Sequence, residues 1–180
     1  MTLNADKELI IRRAAPDELE AVTDFYYDII DHQSEKEYGP EWTKDVYPSR
    51  QDFAEAIENE EMYLGTVGGR IAGAFRLTGN DEIYDDVCWP TEASPEEVSV
   101  IHLLTVHNDF AGMGFAKKLV AYAAEVSRAS GKKVIRLDVL KGNLPAEKLY
   151  LKCGFAFVVE QKIYYEDTGL ADFLMYELVL

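Results

Sequence analysis

Residues 101–120 read IHLLTVHNDFAGMGFAKKLV, which is the most informative pattern in the chain. Its branched and apolar residues predict a strand that ends near Val106, and helical spacing begins near residue 113. Gly112 and Gly114 permit close backbone approach and positive φ angles between the two elements. Free N–H groups at the start of the helix can hold phosphate oxygens, with help from the helix dipole. The stretch therefore predicts a strand–turn–helix cradle for the pyrophosphate of a coenzyme.

Other structures compete for the same glycine pattern. A P-loop would need Gly-Lys-Ser/Thr after a longer glycine run, which is absent. A dinucleotide fold would need a third small residue two positions beyond Phe115, but Lys117 stands there. Asp138 lies roughly where such a fold places its ribose-binding acid, yet the glycine pattern fails first. An ordinary tight turn stays open as long as the glycines are taken alone.

The run resembles the acetyl-CoA motif of the GNAT acetyltransferase superfamily, whose pattern is Val-x-Pro-x-x-Arg/Gln-Gly-x-Gly-x-Gly/Ala. The positions that agree are Val106, Gly112, Gly114 and Ala116. Asn108 stands where Pro is usual, and Ala111 stands where Arg or Gln is usual. The second departure removes a side chain that helps to hold the loop or the pyrophosphate, but it leaves the backbone donors in place.

A second motif follows at the expected distance. Residues 143–155 read NLPAEKLYLKCGF and are similar to the superfamily segment Asn-x-x-Ala-x-x-Leu-Tyr-x-x-x-Gly-Phe, with all six specified positions in agreement. A predicted strand, residues 134–140, lies between the two motifs. The resemblance covers roughly residues 98–160 by motif and nearly the whole chain by the order of its elements.

The resemblance implies a single N-acetyltransferase domain over residues 1–180. Its fold would be a mixed α/β structure with a central, mostly antiparallel sheet of six to seven strands, splayed at the acetyl-CoA site and flanked by helices. The alternation of strands and helices in the second half of the chain supports such a mixed sheet. A length of 180 residues fits one domain with a real core.

The resemblance also implies direct attack of a neutral amine on the thioester in a ternary complex. Tyr150 is the candidate for protonating the departing thiolate. Its place in an i, i+3, i+4, i+7 stripe usually indicates a core residue, and the match to the second motif is what favours the catalytic role. Asn143 is expected to contact the pantetheine arm, to cap its helix, or both. The expected coenzyme-binding residues are Leu104, Thr105, Val106, Ala111, Gly112, Met113, Gly114, Phe115, Ala116, Lys117, Asn143 and Tyr150.

Residue types and positions suggest candidates for the general base and for the acceptor pocket. His102 is the first candidate base, because it shares a strand face with Leu104 and titrates in the right range. A histidine in an apolar strand is also typical of a packed core, so Glu97 and a water chain stay open as alternatives. Aromatic residues in irregular segments often serve binding. The expected acceptor-contacting residues are Tyr26, Trp42 and Trp89, with Tyr27, Tyr47 and Tyr84 as further candidates.

Charge and composition exclude several partners. The net charge of −15 argues against nucleic acid, because phosphate binding needs a basic surface. Acids outnumber bases by about three to one in residues 1–100, whereas the two are nearly balanced afterwards. This asymmetry favours a cationic amine as acceptor, although it is also typical of a solvated surface. No apolar run is long enough to cross a bilayer, so no membrane partner is expected.

The remaining features concern compartment and cofactors. Cys88 and Cys153 form no CxxC pair, so neither a disulfide framework nor a zinc site is predicted, and a reduced cytoplasmic setting is expected. Residues 1–8 show no charged-then-apolar signal pattern. Acetyl-CoA is the expected co-substrate, no metal is expected, and the resemblance allows a homodimer. A non-catalytic acyl-CoA-binding or sensor module and a nucleotide-binding regulatory domain are the open alternatives.

Overall fold

The computed structural model describes residues 8–35 and 37–180 of the chain. The N-terminal residues 1–7, on which most of the signal-peptide prediction falls, lie outside the described part. Seven strands form one sheet, and their bounds are β1 (Ile10–Arg13), β2 (Met62–Val67), β3 (Arg70–Thr78), β4 (Val98–Val106), β5 (Val134–Leu140), β6 (Ala156–Tyr165) and β7 (Gly169–Val179). Their order in the sheet is β1-β2-β3-β4-β5-β7-β6, and β4–β5 is the parallel pair among antiparallel ones.

Helices cover both faces of this sheet. Their bounds are α1 (Leu19–Asp31), α2 (Arg50–Glu58), α3 (Phe115–Ala129) and α4 (Leu144–Lys152). Along β2, Leu64 packs in the cluster that holds α1 and α2, whereas its neighbour Tyr63 packs in the cluster that holds α3. Such alternation follows from the period of two in a strand. The core therefore has two layers, one on each side of the sheet.

The sheet is split between β4 and β5. These strands pair only through residues 98–100 and 134–136, whereas β5 stays paired with β7 from Val134 to Leu140. From Ile101 and Leu137 onward the two parallel strands therefore separate. The splay and the mixed, mostly antiparallel seven-stranded sheet confirm the predicted fold.

A bulge interrupts β4 beside the split. Ala74 pairs with Thr105 and Arg76 pairs with His102, so β4 holds one residue more than β3 between these pairs. Leu103, inside the bulge, has a φ of 57°, a region that β-carbon-bearing residues rarely adopt. The Tyr26 hydroxyl on α1 donates a hydrogen bond of 2.9 Å to the Leu103 carbonyl. Helix α1 thus holds the backbone of β4 where the sheet opens.

The motif-bearing elements lie where the sequence placed them. The predicted strand ending at Val106 and the predicted strand over residues 134–140 match β4 and β5. Helix α3 begins at Phe115 rather than near residue 113, because Gly114 has a φ of 75° and closes the turn instead of entering the helix. The turn between strand and helix is therefore slightly longer than predicted.

Candidate active site

A cavity of about 570 Å³ opens where β4 and β5 separate. Its volume is in the range typical of small-molecule sites. One wall comes from β4, from Ile101 to Leu104, and another from Asp138, Val139 and Leu140 on β5. Helix α4 and its first turn add Asn143, Ala146 and Tyr150. The rest of the lining comes from dispersed segments and includes Trp42, Tyr47, Arg76, Thr78, Asp81, Glu82, Tyr165, Asp167 and Phe173.

The glycine turn leads directly from β4 into α3. Gly112 and Gly114 both have a φ of 75°, and a Cβ built on either would meet no atom within 4 Å. Open space therefore faces both glycines. The first N–H groups of α3 have no partner within the helix, and Gly114 supplies no side-chain cap. This helix end has the geometry of an anion-binding site.

The side chains around the turn divide into two groups. Ala111, Met113 and Lys117 are exposed, whereas Phe115 is 3% exposed and packs against Val67 and Ala72. Phe115 can therefore offer a phosphate only its backbone N–H. The Ala111 side chain cannot supply the charge or hydrogen bonds that Arg or Gln would give, so recognition at this turn rests on main-chain donors.

Tyr150 combines deep burial with a free hydroxyl. Its side chain is 7% exposed and packs edge-on against Phe155, with ring centroids 5.4 Å apart. No residue of the described part forms a hydrogen bond with its hydroxyl, and the side chain lines the cavity. Burial and the nearby Asp138 carboxylate raise the pKa of Tyr150, which keeps the phenol protonated at neutral pH. Tyr150 therefore combines both positions that the sequence suggested for it: it packs in the core and it lines the cavity.

His102 lies across the split from α4, on the edge of the bulge. Its Nε2 atom is 3.2 Å from the Thr78 hydroxyl and 3.7 Å from an Asp81 carboxylate oxygen. Burial lowers the pKa of His102 below its usual value, while Asp138 and Asp81 oppose that shift. A neutral imidazole beside carboxylates can accept a proton, because the imidazolium that forms is then stabilised.

Asp138 is the functional group that the sequence reasoning missed. Its Oδ2 atom accepts hydrogen bonds of 2.8 Å from the Tyr84 hydroxyl and 2.6 Å from the Tyr165 hydroxyl. Burial raises the pKa of Asp138, although both tyrosine hydrogen bonds oppose the shift. The signal was present in the sequence, since an acid in the mostly apolar run VIRLDVL, residues 134–140, is a candidate site residue.

Asn143 caps helix α4 and also lines the cavity. It is the N-cap of α4, and its side chain accepts from the Ala146 N–H at 3.5 Å. It also lines the cavity beside the split. The capping bond uses one lone pair of the amide oxygen, so the NH₂ group is available to a ligand.

The aromatic candidates separate in space. Trp42 lines the cavity and is 8% exposed. Tyr26 is fully buried and stacks on Phe53, with ring centroids 4.8 Å apart. Its hydroxyl donates to the Leu103 carbonyl, and the side chain does not line the cavity. Trp89 lies outside the lining, under the Arg136 guanidinium, which is 4.4 Å from its ring centroid. The placement of Tyr26 and Trp89 thus differs from expectation, because both complete the core rather than the pocket.

The second candidate base and two further tyrosines also have defined places. Glu97 is exposed and pairs with Lys133 at 3.1 Å, outside the cavity. The Tyr27 hydroxyl donates to Asp45 at 2.7 Å, also outside it. Tyr47 lines the cavity, whereas Tyr84 contributes indirectly through its bond to Asp138. His102 is therefore the candidate base that the fold brings to the site.

Comparison with known proteins places the chain in a family. The model of the acetyltransferase (GNAT) family matches residues 24–155, and the chain belongs to this family. The uncharacterised N-acetyltransferase YvbK of Bacillus subtilis is 25% identical over 126 residues, which cover 66% of this chain and 72% of YvbK. A streptothricin acetyltransferase of Escherichia coli is 28% identical over 116 residues, which cover 63% of this chain and 59% of that protein.

Solved structures show the same fold. A GNAT-family acetyltransferase from Listeria monocytogenes has a TM-score of 0.73 at 20% identity, over 100% of this chain and 99% of that one. A Salmonella typhimurium protein solved with its cofactor acetyl-CoA has a TM-score of 0.71 at 17% identity, over 97% and 95% of the two chains. At these identities the likeness carries the fold alone.

Family membership confirms the predicted enzyme class and co-substrate: the chain is an acetyl-CoA-dependent N-acetyltransferase. Across residues 8–35 and 37–180, no group of three or more His, Cys, Asp or Glu side chains is arranged to hold a metal ion. None of the helices in this described part is long and apolar enough to span a membrane.

Proposed function

We propose that the protein transfers an acetyl group from acetyl-CoA to a primary amine of a small or peptide acceptor, by direct attack in a ternary complex. One observation carries the proposal: His102 on β4 and Tyr150 on α4 line the same cavity, which opens where β4 and β5 separate. A candidate proton acceptor and a candidate proton donor therefore flank the space that the split sheet provides.

The coenzyme is held mainly by backbone. The pyrophosphate binds the first N–H groups of α3, where Gly112 and Gly114 leave room for it. The pantetheine arm enters the gap between β4 and β5, beside the amide of Asn143. Backbone N–H groups of residues 104–106 hold the thioester carbonyl oxygen, on which negative charge develops. The bulge at Leu103, fixed by Tyr26, sets the direction of this segment.

Two proton transfers accompany the attack. The amine nitrogen forms a bond with the thioester carbon and passes a proton to His102, directly or through one water. The carbon–sulfur bond breaks, and the Tyr150 hydroxyl donates its proton to the departing thiolate. Asp81, 3.7 Å from the imidazole, stabilises the imidazolium that forms. The products are an N-acetylated amine and the free thiol of coenzyme A.

The acceptor is a cationic amine. Asp81, Glu82, Asp138 and Asp167 line the cavity, whereas Arg76, which also lines it, is bound to Glu61 at 2.7 Å. A negative potential in a cleft raises the local concentration of cations. We further propose one domain over residues 1–180 and a cytoplasmic setting, in keeping with the single sheet and with the two free cysteines, Cys88 and Cys153.

Thiol release from acetyl-CoA, measured across a panel of primary amines, tests this function. We expect amine-dependent release with cationic acceptors and a matching mass increase of 42 Da in the amine, the mass of one acetyl group less a proton. The melting temperature should rise with acetyl-CoA and not with NAD or ATP. Release that does not depend on any amine would contradict the proposal.

A non-catalytic acyl-CoA-binding or sensor module is the second candidate. It is favoured by Ala111, which removes a coenzyme-holding side chain from the family pattern while the backbone cradle is kept. The same two measurements separate the candidates. Stabilisation by acetyl-CoA without turnover on any amine would identify a sensor, whereas turnover identifies the enzyme.

A further inference from the structure

Asp138 occupies an unusual place in the acceptor cavity. Two tyrosine hydroxyls, from Tyr84 and Tyr165, donate to its Oδ2 atom at 2.8 and 2.6 Å. Within the part of the chain that is described, Oδ1 has no hydrogen-bond donor and no cation pairs with the carboxylate. The tyrosines orient the carboxylate, but among the described residues it forms no salt bridge.

Asp167 extends this negative charge along the cavity. It lies in the turn between β6 and β7, two residues after Tyr165, and one of its oxygens accepts from the Thr168 N–H at 2.9 Å. Burial raises the pKa of Asp167, and the nearby charge of Asp138 raises it further. Asp138 and Asp167 line the same cavity, and a cation bound between them would offset the repulsion between their negative charges.

A second observation, the unpartnered hydroxyl of Tyr150, also points to a ligand in this cavity. The side chain is more than nine-tenths buried, at 7% exposure, and its hydroxyl has no partner among residues 8–35 and 37–180. The hydroxyl is not closed off in the core, so it can meet a ligand in the cavity. Tyr150 lines the same cavity as Asp138 and Asp167, so the unsatisfied donor and the unpaired acids face one space.

The chemistry of attack separates two kinds of positive charge. The reacting nitrogen must be neutral when it attacks, so it cannot keep a charge interaction with carboxylates during the reaction. An acid that only attracted this nitrogen would lose its partner at that step. A second cationic group on the acceptor keeps its charge throughout and can hold the substrate in place while the first nitrogen reacts.

We propose that the acceptor carries a second cationic group, which binds between Asp138 and Asp167 while its primary amine reacts between His102 and Tyr150. The substrate class is therefore a diamine, or a molecule with an equivalent second ammonium or guanidinium group. Trp42 and Tyr165 line the same cavity, and aromatic rings can attract such a cation. This inference rests on the proposed function, because it names the acceptor of the same reaction.

Matched acceptor pairs test the inference. Linear α,ω-diamines of three to six carbons are compared with amino alcohols of the same lengths, which replace the second ammonium by a neutral hydroxyl. At pH 7.5 and fixed acetyl-CoA we expect kcat/KM for the best diamine to exceed that for its amino alcohol by about tenfold or more, which is the effect of one retained charge pair.

Variants of the two acids test where the second cationic group of the acceptor binds. Asp167→Asn should reduce the diamine-to-amino-alcohol ratio to near one, and Asp138→Asn serves as a second variant at the same subsite. Glu166→Gln is the matched control, because Glu166 is exposed, lies next to Asp167 and is absent from the cavity lining. It should keep the wild-type ratio. Melting temperatures show which variants are folded.

The outcomes separate the two proposals. Turnover of both acceptors with a wild-type ratio near one overturns the second-charge inference and leaves the acetyltransferase function standing. A high ratio that survives both Asp167→Asn and Asp138→Asn overturns the assigned subsite. Release of no thiol with any amine overturns the proposed function, and the inference falls with it.

Discussion

The two halves of the candidate site are built in different ways. The coenzyme half is made by one continuous stretch, from the end of β4 through the glycine turn into α3, and its binding groups are mostly backbone N–H. The acceptor half is made by side chains from separate segments, among them Trp42, His102, Asp138 and Asp167. Most acids of the cavity lie in this half, whereas the exposed Lys117 lies beside the glycine turn.

This difference explains how one fold can keep its coenzyme while its acceptor changes. A site made of main chain depends on glycines and on the start of a helix, so side-chain substitutions such as Ala111 leave most of its donors intact. A site made of side chains changes its preference whenever one of them changes. Mutations on the two sides should therefore act on different kinetic quantities.

The largest expected effect is at Tyr150, which lies between the two halves. Tyr150→Phe removes the candidate proton donor but keeps the ring packed against Phe155. We expect kcat to fall by about 10²–10⁴-fold with little change in the dissociation constant for acetyl-CoA. Steady-state kinetics and calorimetry measure the two quantities. Tyr164→Phe is the control, since Tyr164 is 65% exposed; full turnover in Tyr150→Phe would remove Tyr150 as the acid.

A smaller effect is expected for His102→Gln, which tests the acceptor half alone. Loss of the candidate base should lower kcat/KM for the amine by about 10²-fold. Because burial lowers the pKa of His102, wild-type activity should fall only when pH drops through a value below 6.5, where the imidazole becomes protonated. The variant should lack that limb of the pH profile. An unchanged profile would assign the proton to another group.

Gly114→Asp tests the coenzyme half. An added carboxylate at the start of α3 would repel the pyrophosphate, and we expect acetyl-CoA to bind about tenfold more weakly while the amine preference is kept. Gly114→Asn is the first control, because it adds a side chain of the same shape without the charge. Gly131→Asp is the second control: Gly131 has a φ of 74° at the other end of α3, so an added side chain meets the same backbone strain there. If all three variants bind acetyl-CoA with equal affinity, the pyrophosphate does not bind beside Gly114.

The smallest effect concerns stability. Because burial raises the pKa of Asp138, its carboxylate ionises more readily in the unfolded chain, so the folded state loses stability as pH rises above the unfolded value of about 3.8. Asp138→Asn removes this cost. Relative to wild type, its melting temperature should rise by about 2–4 °C between pH 4 and pH 7.5, with Asp86→Asn as an exposed control. A relative fall would show that the acid stabilises the fold.

The coenzyme half and the acceptor half also differ in how well the sequence predicts them. The glycine turn, β4, β5 and the helix that carries Tyr150 were predictable because local spacing and two motifs specify them. Asp167 was not, because it reaches the cavity only through the pairing of β6 with β7, and Asp138 was weighed only by its distance from the glycines. Tyr26 shows the opposite case: its residue type suggested contact with the acceptor, but the structure buries it in the core, where its hydroxyl bonds to the Leu103 carbonyl.

Whether the amine attacks acetyl-CoA directly is tested by measuring the initial rate over a grid of acetyl-CoA and amine concentrations. The mass of the intact protein is measured in parallel after incubation with acetyl-CoA alone. Direct attack in a ternary complex predicts double-reciprocal lines that intersect and a protein mass that does not change. Parallel lines, together with a gain of one acetyl group on the protein, would contradict direct attack, because the acetyl group would then pass through an enzyme residue before it reaches the amine.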